Sequence, residues 1–115
     1  MVDIFKALSE ESRLRILSLL PEDELCVCEI EACLKMTQSN ASRHLTVLKK
    51  CGLLESYKNG LWTYYRISNR FIEENVELWE YLKQRFRNLP SYPADCEEYQ
   101  KCKAQELCSC NKKPH

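Results

Sequence analysis

The sequence has little glycine, with two glycines in 115 residues, and no glycine-rich loop that could cradle a phosphate. It has no CxxC motif, and one of its two histidines is the last residue. These absences leave no recognisable catalytic constellation, so we expect a protein that is not an enzyme and has no organic cofactor.

Targeting and membrane-spanning signals are also missing from the sequence. No basic segment precedes an apolar core at the start, and no apolar run approaches the length that spans a membrane. We therefore expect a cytoplasmic protein with no membrane partner. Because thiols stay reduced in that compartment, the eight cysteines are predicted to be ligands or redox groups and not a disulfide framework.

Net charge is absent too, since 17 basic residues balance 17 acidic ones. The distribution is uneven, however. Between residues 35 and 66 there are six basic side chains and a single acid, Glu55, which leaves a local excess of five positive charges. A basic middle on a neutral chain suits a polyanionic partner.

Hydrophobic residues recur every three or four positions through much of the chain, which predicts amphipathic helices. Thr37 or Ser39 can cap the fourth of them, and Gly52 is suited to end it. The predicted helices cover residues 3–9, 10–20, 26–34, about 38–51 and about 70–87.

After Gly52 the period changes to two, which indicates strands. Asn59 and Gly60 lie between two runs rich in aromatic residues and favour a β-hairpin with a type I′ turn. Beyond residue 90 a polar segment is expected to form a short helix near 97–107 and then a loose end.

Two short helices joined by a tight turn and followed by a hairpin predict a mainly α fold with a β-hairpin wing, the winged helix-turn-helix. We expect residues 1–90 to form the DNA-binding and dimerisation domain and residues 91–115 to form a cysteine-rich tail. The first and fifth helices are the expected homodimer interface, because a small core and a hairpin cannot cover both.

The second helix of the predicted motif begins with polar side chains that suit a DNA major groove. Gln, Asn and Arg can make bidentate contacts with base edges, whereas Ser and the helix start suit phosphates. We expect Lys49 and Lys50 to face the DNA backbone, and Lys58 and Asn59 to reach it from the wing. The candidate groove-facing residues are Gln38, Ser39, Asn40, Ser42, Arg43 and His44.

Cys26 and Cys28 are two residues apart at the start of the third predicted helix. Side chains at this spacing point about 200° apart on a regular α-helix, so both reach one ion only if the backbone is extended or the first turn unwinds. We therefore place the pair at a helix boundary, with Cys26 at the N-cap. Cys33 is about 10 Å further along the axis and is expected, like Cys51, to be a core residue.

Four motifs follow one another along the chain: "FKALSEESRLRILSLL", "ELCVCEI", "QSNASRHL" and "CGLLESYKNGLWTYYRI". In this order they resemble the ArsR/SmtB metalloregulatory repressors over residues 3–87. The resemblance implies a dimeric winged helix that represses an operon until a metal or metalloid ion releases it from operator DNA. It also implies that "ELCVC" holds two thiolates, as in the arsenite, antimonite, cadmium and lead sensors.

The chain departs from that pattern at two places. Glu31 stands where the best-known arsenite sensors have a third cysteine, and residues 70–87 contain no histidine for a zinc-sensor site. We therefore predict that As(III) or Sb(III) is bound by Cys26 and Cys28 together with a tail thiolate, most simply Cys96 or Cys102. The terminal pair, Cys108 and Cys110, repeats the same spacing.

Other readings stay open from the sequence. Soft thiolates also suit Cd(II) and Pb(II), and four cysteines can hold zinc or cadmium. A thiol-rich metal carrier on a winged-helix scaffold is an alternative, although a carrier does not need the basic middle. A redox sensor is disfavoured because acids surround the pair and oppose thiolate formation. These acids are Glu22, Asp23, Glu24, Glu29 and Glu31.

Overall fold

A computed structural model of the chain describes residues 2–21 and 23–105, with side chains through residue 102. Helices dominate, and a three-stranded sheet is formed by a short strand before the third helix and a hairpin between the fourth and fifth helices. The elements are α1 (Val2–Leu8), α2 (Glu11–Ser18), β1 (Leu25–Cys26), α3 (Val27–Leu34), α4 (Gln38–Lys50), β2 (Leu54–Asn59), β3 (Trp62–Ile67), α5 (Asn69–Glu74), α6 (Val76–Phe86) and α7 (Tyr92–Gln105).

The predicted helix-turn-helix is formed by α3 and α4. Helix α3 ends at Lys35, which adopts the left-handed conformation with φ of 55°. Thr37 then caps α4, since its hydroxyl accepts a hydrogen bond from the Asn40 amide at 3.2 Å. Gly52, at φ of 91°, follows the helix as expected. This turn fixes the angle at which α4 leaves the core.

The wing contains one strand more than the hairpin that the sequence indicates. The sheet order is β1-β3-β2 with antiparallel pairs, and the unpredicted strand β1 pairs Cys26 with Tyr64. The turn also differs from the prediction. Asn59 is paired with Trp62, so the loop residues are Gly60 and Leu61. Glycine with positive φ at the first loop position fits a type II′ turn better than the expected type I′.

The single helix predicted over 70–87 is broken at Asn75, whose φ of −138° separates α5 from α6. Much of its apolar stripe is used inside the subunit, because Trp79, Leu82 and Phe86 are buried in the main core. What remains outside is a set of exposed apolar side chains on the two helices expected at a dimer interface. These are Val2 and Phe5 on α1, and Val76 and Tyr81 on α6.

The described part of the segment after residue 90 contains a longer helix than the sequence suggests. Helix α7 begins at Tyr92, not near residue 97, and packs against α3. Asp95, buried at its start, accepts two hydrogen bonds from Arg15 of α2, at 2.8 and 3.0 Å. A paired and buried carboxylate fastens this helix to the core. None of the described helices is both long and apolar enough to cross a membrane.

Candidate nucleic-acid interface and thiol site

Helix α4 has one buried apolar face and one exposed polar face, as a helix that binds in a DNA groove requires. Ala41, Leu45 and Leu48 are buried on one side. The opposite side presents an unbroken polar surface that begins at the first turn, and Ser42 is half-buried beside it. The exposed side chains there are Gln38, Ser39, Asn40 and Arg43.

His44 is not part of this surface, contrary to the prediction. Its side chain is 3% exposed, and its Nε2 lies 3.7 Å from a carboxylate oxygen of Glu10. The Nδ1 atom is buried without a hydrogen-bond partner. Burial lowers the pKa of His44, against the opposing effect of Glu10, so the ring is neutral at pH 7. A neutral, buried ring cannot contact a base edge or a phosphate.

Basic side chains flank the α4 surface on two sides. Lys49 and Lys50 are exposed at the C-terminal end of α4, and Lys58 is exposed near the tip of the wing. Asn59 is half-buried in its strand pair. Leu61, which no sequence pattern singles out, is 96% exposed at the hairpin tip. It lies in the turn because Asn59 pairs with Trp62.

The two thiols of the "CVC" stretch converge, and helix α3 does not unwind to allow it. Cys26 is the N-cap residue with extended backbone, at φ of −87° and ψ of 168°, and the helix is regular from Val27 onward. The Sγ atoms of Cys26 and Cys28 are 3.0 Å apart. The predicted boundary position is therefore confirmed, and the pair needs no distortion of the first turn to meet.

Glu29 holds Cys26 at this boundary. The carboxylate of Glu29, only 3% exposed, accepts a hydrogen bond from the Cys26 amide at 3.0 Å. The Cys26 side chain in turn caps the Glu29 amide, which completes a capping box. The sequence signal was present, since C-x-x-E has the spacing of S-x-x-E with sulfur in place of oxygen.

Two tyrosines of the wing form the wall beside the thiols. Tyr64 is 1% exposed and packs with Cys26, while Tyr57 and Cys28 lie against them. The rings of Tyr57 and Tyr64 stack with centroids 5.6 Å apart. The Tyr57 hydroxyl donates to Glu24 at 2.5 Å, and this bond and burial raise the pKa of Tyr57 to about 12.

Of the tail cysteines, the two that the structure describes, Cys96 and Cys102, are not grouped with this pair. Cys96 is half-buried in the wall of a cavity of about 410 Å³ between α2, α6 and α7. Cys102 is 5% exposed within the main core. Among the residues with described side chains, no group of three or more His, Cys, Asp and Glu is placed to hold a metal ion. Cys108 and Cys110 lie outside the described residues.

The remaining cysteines follow the expectation for core residues. Cys33 is buried in the main core, and Cys51 is half-buried and packs against it. The thiol chemistry available near the wing therefore comes from Cys26 and Cys28. Two adjacent sulfurs are a partial ligand set that suits a soft, thiophilic ion.

Comparison with known proteins places residues 10–56 in a family described as "Bacterial regulatory protein, arsR family". An HTH-type transcriptional regulator of Methanocaldococcus jannaschii is 42% identical over 77 residues, which cover 66% of this chain and 86% of that protein. The cadmium resistance regulator CadC of Listeria innocua is 45% identical, over 64% of this chain and 63% of its own length. The arsenical resistance operon repressor of Escherichia coli is 46% identical over 58% of each chain.

Solved structures agree on the fold. A homodimeric winged helix-turn-helix DNA-binding domain from Mycobacterium bovis superimposes with a TM-score of 0.62 at 32% identity. The match covers 72% of this chain and 77% of the other. The chain spans less than two thirds of the cadmium and arsenical regulators, so those two proteins extend beyond what is matched here.

Proposed function

Because the chain belongs to the ArsR family of winged helix-turn-helix transcriptional regulators, we propose that it is a homodimeric repressor that releases operator DNA when a thiophilic ion binds its cysteines. It is a regulator and not an enzyme. The observation that carries the proposal is the 3.0 Å approach of Cys26 and Cys28 at the start of α3, the helix that leads into the exposed face of α4.

DNA is proposed to meet the exposed start of α4. Gln38, Asn40 and Arg43 have the side chains for base edges, and Ser39 suits a phosphate. Ser42 sits beside them, and Lys49, Lys58 and Asn59 supply contacts to the backbone and the neighbouring groove. A second copy of the chain, docked through the exposed apolar residues of α1 and α6, would set the half-site spacing at about one helical turn.

As(III) or Sb(III) is the proposed effector, bound by Cys26, Cys28 and one thiolate from the segment after residue 90. Of the two predicted donors, Cys96 requires the smaller rearrangement, since Cys102 is buried in the core. The E. coli relative is named for arsenical resistance, which supports a metalloid as the effector. When bound, the ion supplies a covalent link between thiolates, and the chain itself supplies their placement.

Cd(II) or Pb(II) is the second candidate effector. The observation in its favour is the 45% identity to the cadmium resistance regulator of Listeria innocua. Both candidate effectors would bind the same two sulfurs. Titration of the DNA complex with each ion identifies the one that releases the operator.

The test is an operator-binding assay with a duplex that the protein itself selects from random sequences. We expect one equivalent of arsenite per site to release the DNA, and zinc at the same level to leave it bound. The double variant Cys26→Ser/Cys28→Ser should bind DNA and ignore arsenite, whereas Cys51→Ser should respond as wild type does. Release that persists in the double variant would overturn the effector site.

The DNA face is tested in the same assay with Ser42→Ala/Arg43→Ala. We expect specific affinity to fall by about 1–3 kcal/mol. Lys101→Ala, on the exposed side of α7, is the matched control and should bind normally. Unchanged affinity of the double variant at physiological salt would refute the proposed face.

A further inference from the structure

We infer that ion binding at Cys26 and Cys28 reaches the DNA through the wing, with Tyr64 and Tyr57 as the residues that couple the two sites. This inference rests on the proposed function and adds the route of regulation to it. The alternative route runs along α3 into α4. Cys26 is the N-cap residue of α3 and also a residue of β1. The structure favours the wing because Cys26 pairs with Tyr64 of β3 and is buried against its side chain.

Strand β1 joins the thiol site to the wing. Leu25 and Cys26 pair with Tyr65 and Tyr64 of β3, and β3 pairs with β2 along its whole length. Cys26 and Tyr64 also form a small buried cluster of their own, separate from the main core. Any shift of Cys26 is therefore passed to β3 by backbone pairing and by packing.

Tyr57 continues the path to the exposed tip. It faces Tyr64 across the strand pair, stacks on its ring, and immediately precedes the exposed Lys58. Arg66 fixes its outer side, since the guanidinium lies 5.4 Å from the ring centroid and 3.2 Å from the Glu24 carboxylate that accepts the Tyr57 hydroxyl. The ring thus connects the thiol cluster to the basic end of the wing.

Ion binding must move the sulfurs from their present spacing. An ion about 2.3 Å from each of two sulfurs, with an angle of about 90° or more between the two bonds, needs the sulfurs at least about 3.3 Å apart, whereas the Sγ atoms are 3.0 Å apart. Cys26 is 1% exposed, so it has no free space into which to move alone. Close-packed neighbours transmit such a displacement, and Tyr64 and Tyr57 of the wing are packed in the same cluster as Cys26.

The first test needs no DNA. Trp62, 40% exposed and paired with Asn59, reports on the wing, while the second tryptophan, Trp79, is buried in the core. Arsenite or Cd(II) binding is followed by sulfur-to-ion absorbance, and tryptophan emission is recorded in parallel. We expect emission to change on binding in wild type and to stay constant in Trp62→Phe.

Two outcomes separate this inference from the proposed function. If neither ion produces the absorbance, the effector site and the inference both fail. If an ion binds and releases DNA while Trp62 emission stays constant, the function stands and the wing route is wrong.

The second test measures coupling as the ratio of operator dissociation constants with and without the ion. Tyr57→Leu removes the ring stack and the Glu24 bond but keeps an apolar side chain. We expect the ratio to fall at least about tenfold, which is a typical size for coupling between sites, while the ion still binds. The matched control is Tyr65→Leu, on the same sheet but packed against the main core, and its ratio should stay within about twofold of wild type. A wild-type ratio in Tyr57→Leu, or an equal loss in Tyr65→Leu, would overturn the inference.

Discussion

The two regions that carry the candidate thiols differ in how they place them. At the start of α3 the backbone changes from strand to helix at Cys26, and two cysteines that a helix would separate come to 3.0 Å. On α7, Cys96 and Cys102 lie on one continuous helix, where six residues span about 9 Å and well over one turn. The thiols converge where the secondary structure changes, and stay apart where it is regular.

The largest expected effect is on the converging pair. Cys28→Ser should weaken ion binding by about 100-fold or more, because a hydroxyl does not replace a thiolate for a soft ion. Competition against a chromophoric chelator measures the affinity. Cys33→Ser, on the same helix but in the main core, is the control for general effects of losing a thiol. Equal ion affinities of the two variants would show that the convergence of Cys26 and Cys28 does not matter for binding.

The next effect concerns the anchor of α7. Asp95→Ala leaves the Arg15 guanidinium without its carboxylate, and we expect the free energy of unfolding to fall by about 3 kcal/mol. Because the Arg15 side chain is partly exposed, this loss of stability is at the lower end of the range for breaking a buried ion pair. Urea denaturation measures the change. Glu97→Ala, exposed on the same helix, should change stability by less than about 0.5 kcal/mol.

A smaller effect is expected for the proposed third ligand. Cys96→Ser should weaken arsenite binding by about tenfold, which is about 1.4 kcal/mol. The effect is small because α7 must rearrange to supply the thiolate, and the cost of that rearrangement offsets part of the free energy of the third bond. The same titration as for Cys28→Ser measures it. Affinity equal to wild type would remove Cys96 from the proposed ligand set and leave Cys102 or the terminal pair.

The smallest effect tests why the pair converges. Glu29→Gln keeps a side-chain acceptor for the Cys26 amide but removes its charge, so we expect a loss of about 1 kcal/mol in unfolding free energy. Glu29→Ala removes the acceptor and should cost more. Thermal unfolding measures whether Glu29→Ala is less stable than Glu29→Gln. The exposed Glu73→Ala is the control.

The sequence predicted what depends on local pattern. The cap of α4, the end at Gly52 and the boundary position of Cys26 followed from turn chemistry and helix geometry. Pairings distant along the chain were not predictable in this way. Strand β1 has only two residues and is a strand because it pairs with β3. Helix α7 is held by the ion pair of Asp95 with Arg15. The burial of His44 is also a distant effect, because α2 packs against α4 and Glu10, just before α2, lies beside the His44 ring.

The pairing of Cys26 with Tyr64 joins residues about forty positions apart, and contacts of such separation are slow to form because a long loop must close first. During synthesis the two cysteines emerge well before the strand that sets their geometry. A newly made chain therefore contains the two thiols before the structure that brings them together has formed. Under the proposed function, the protein would respond to an ion only when the hairpin has closed, so that responsiveness would report completed folding.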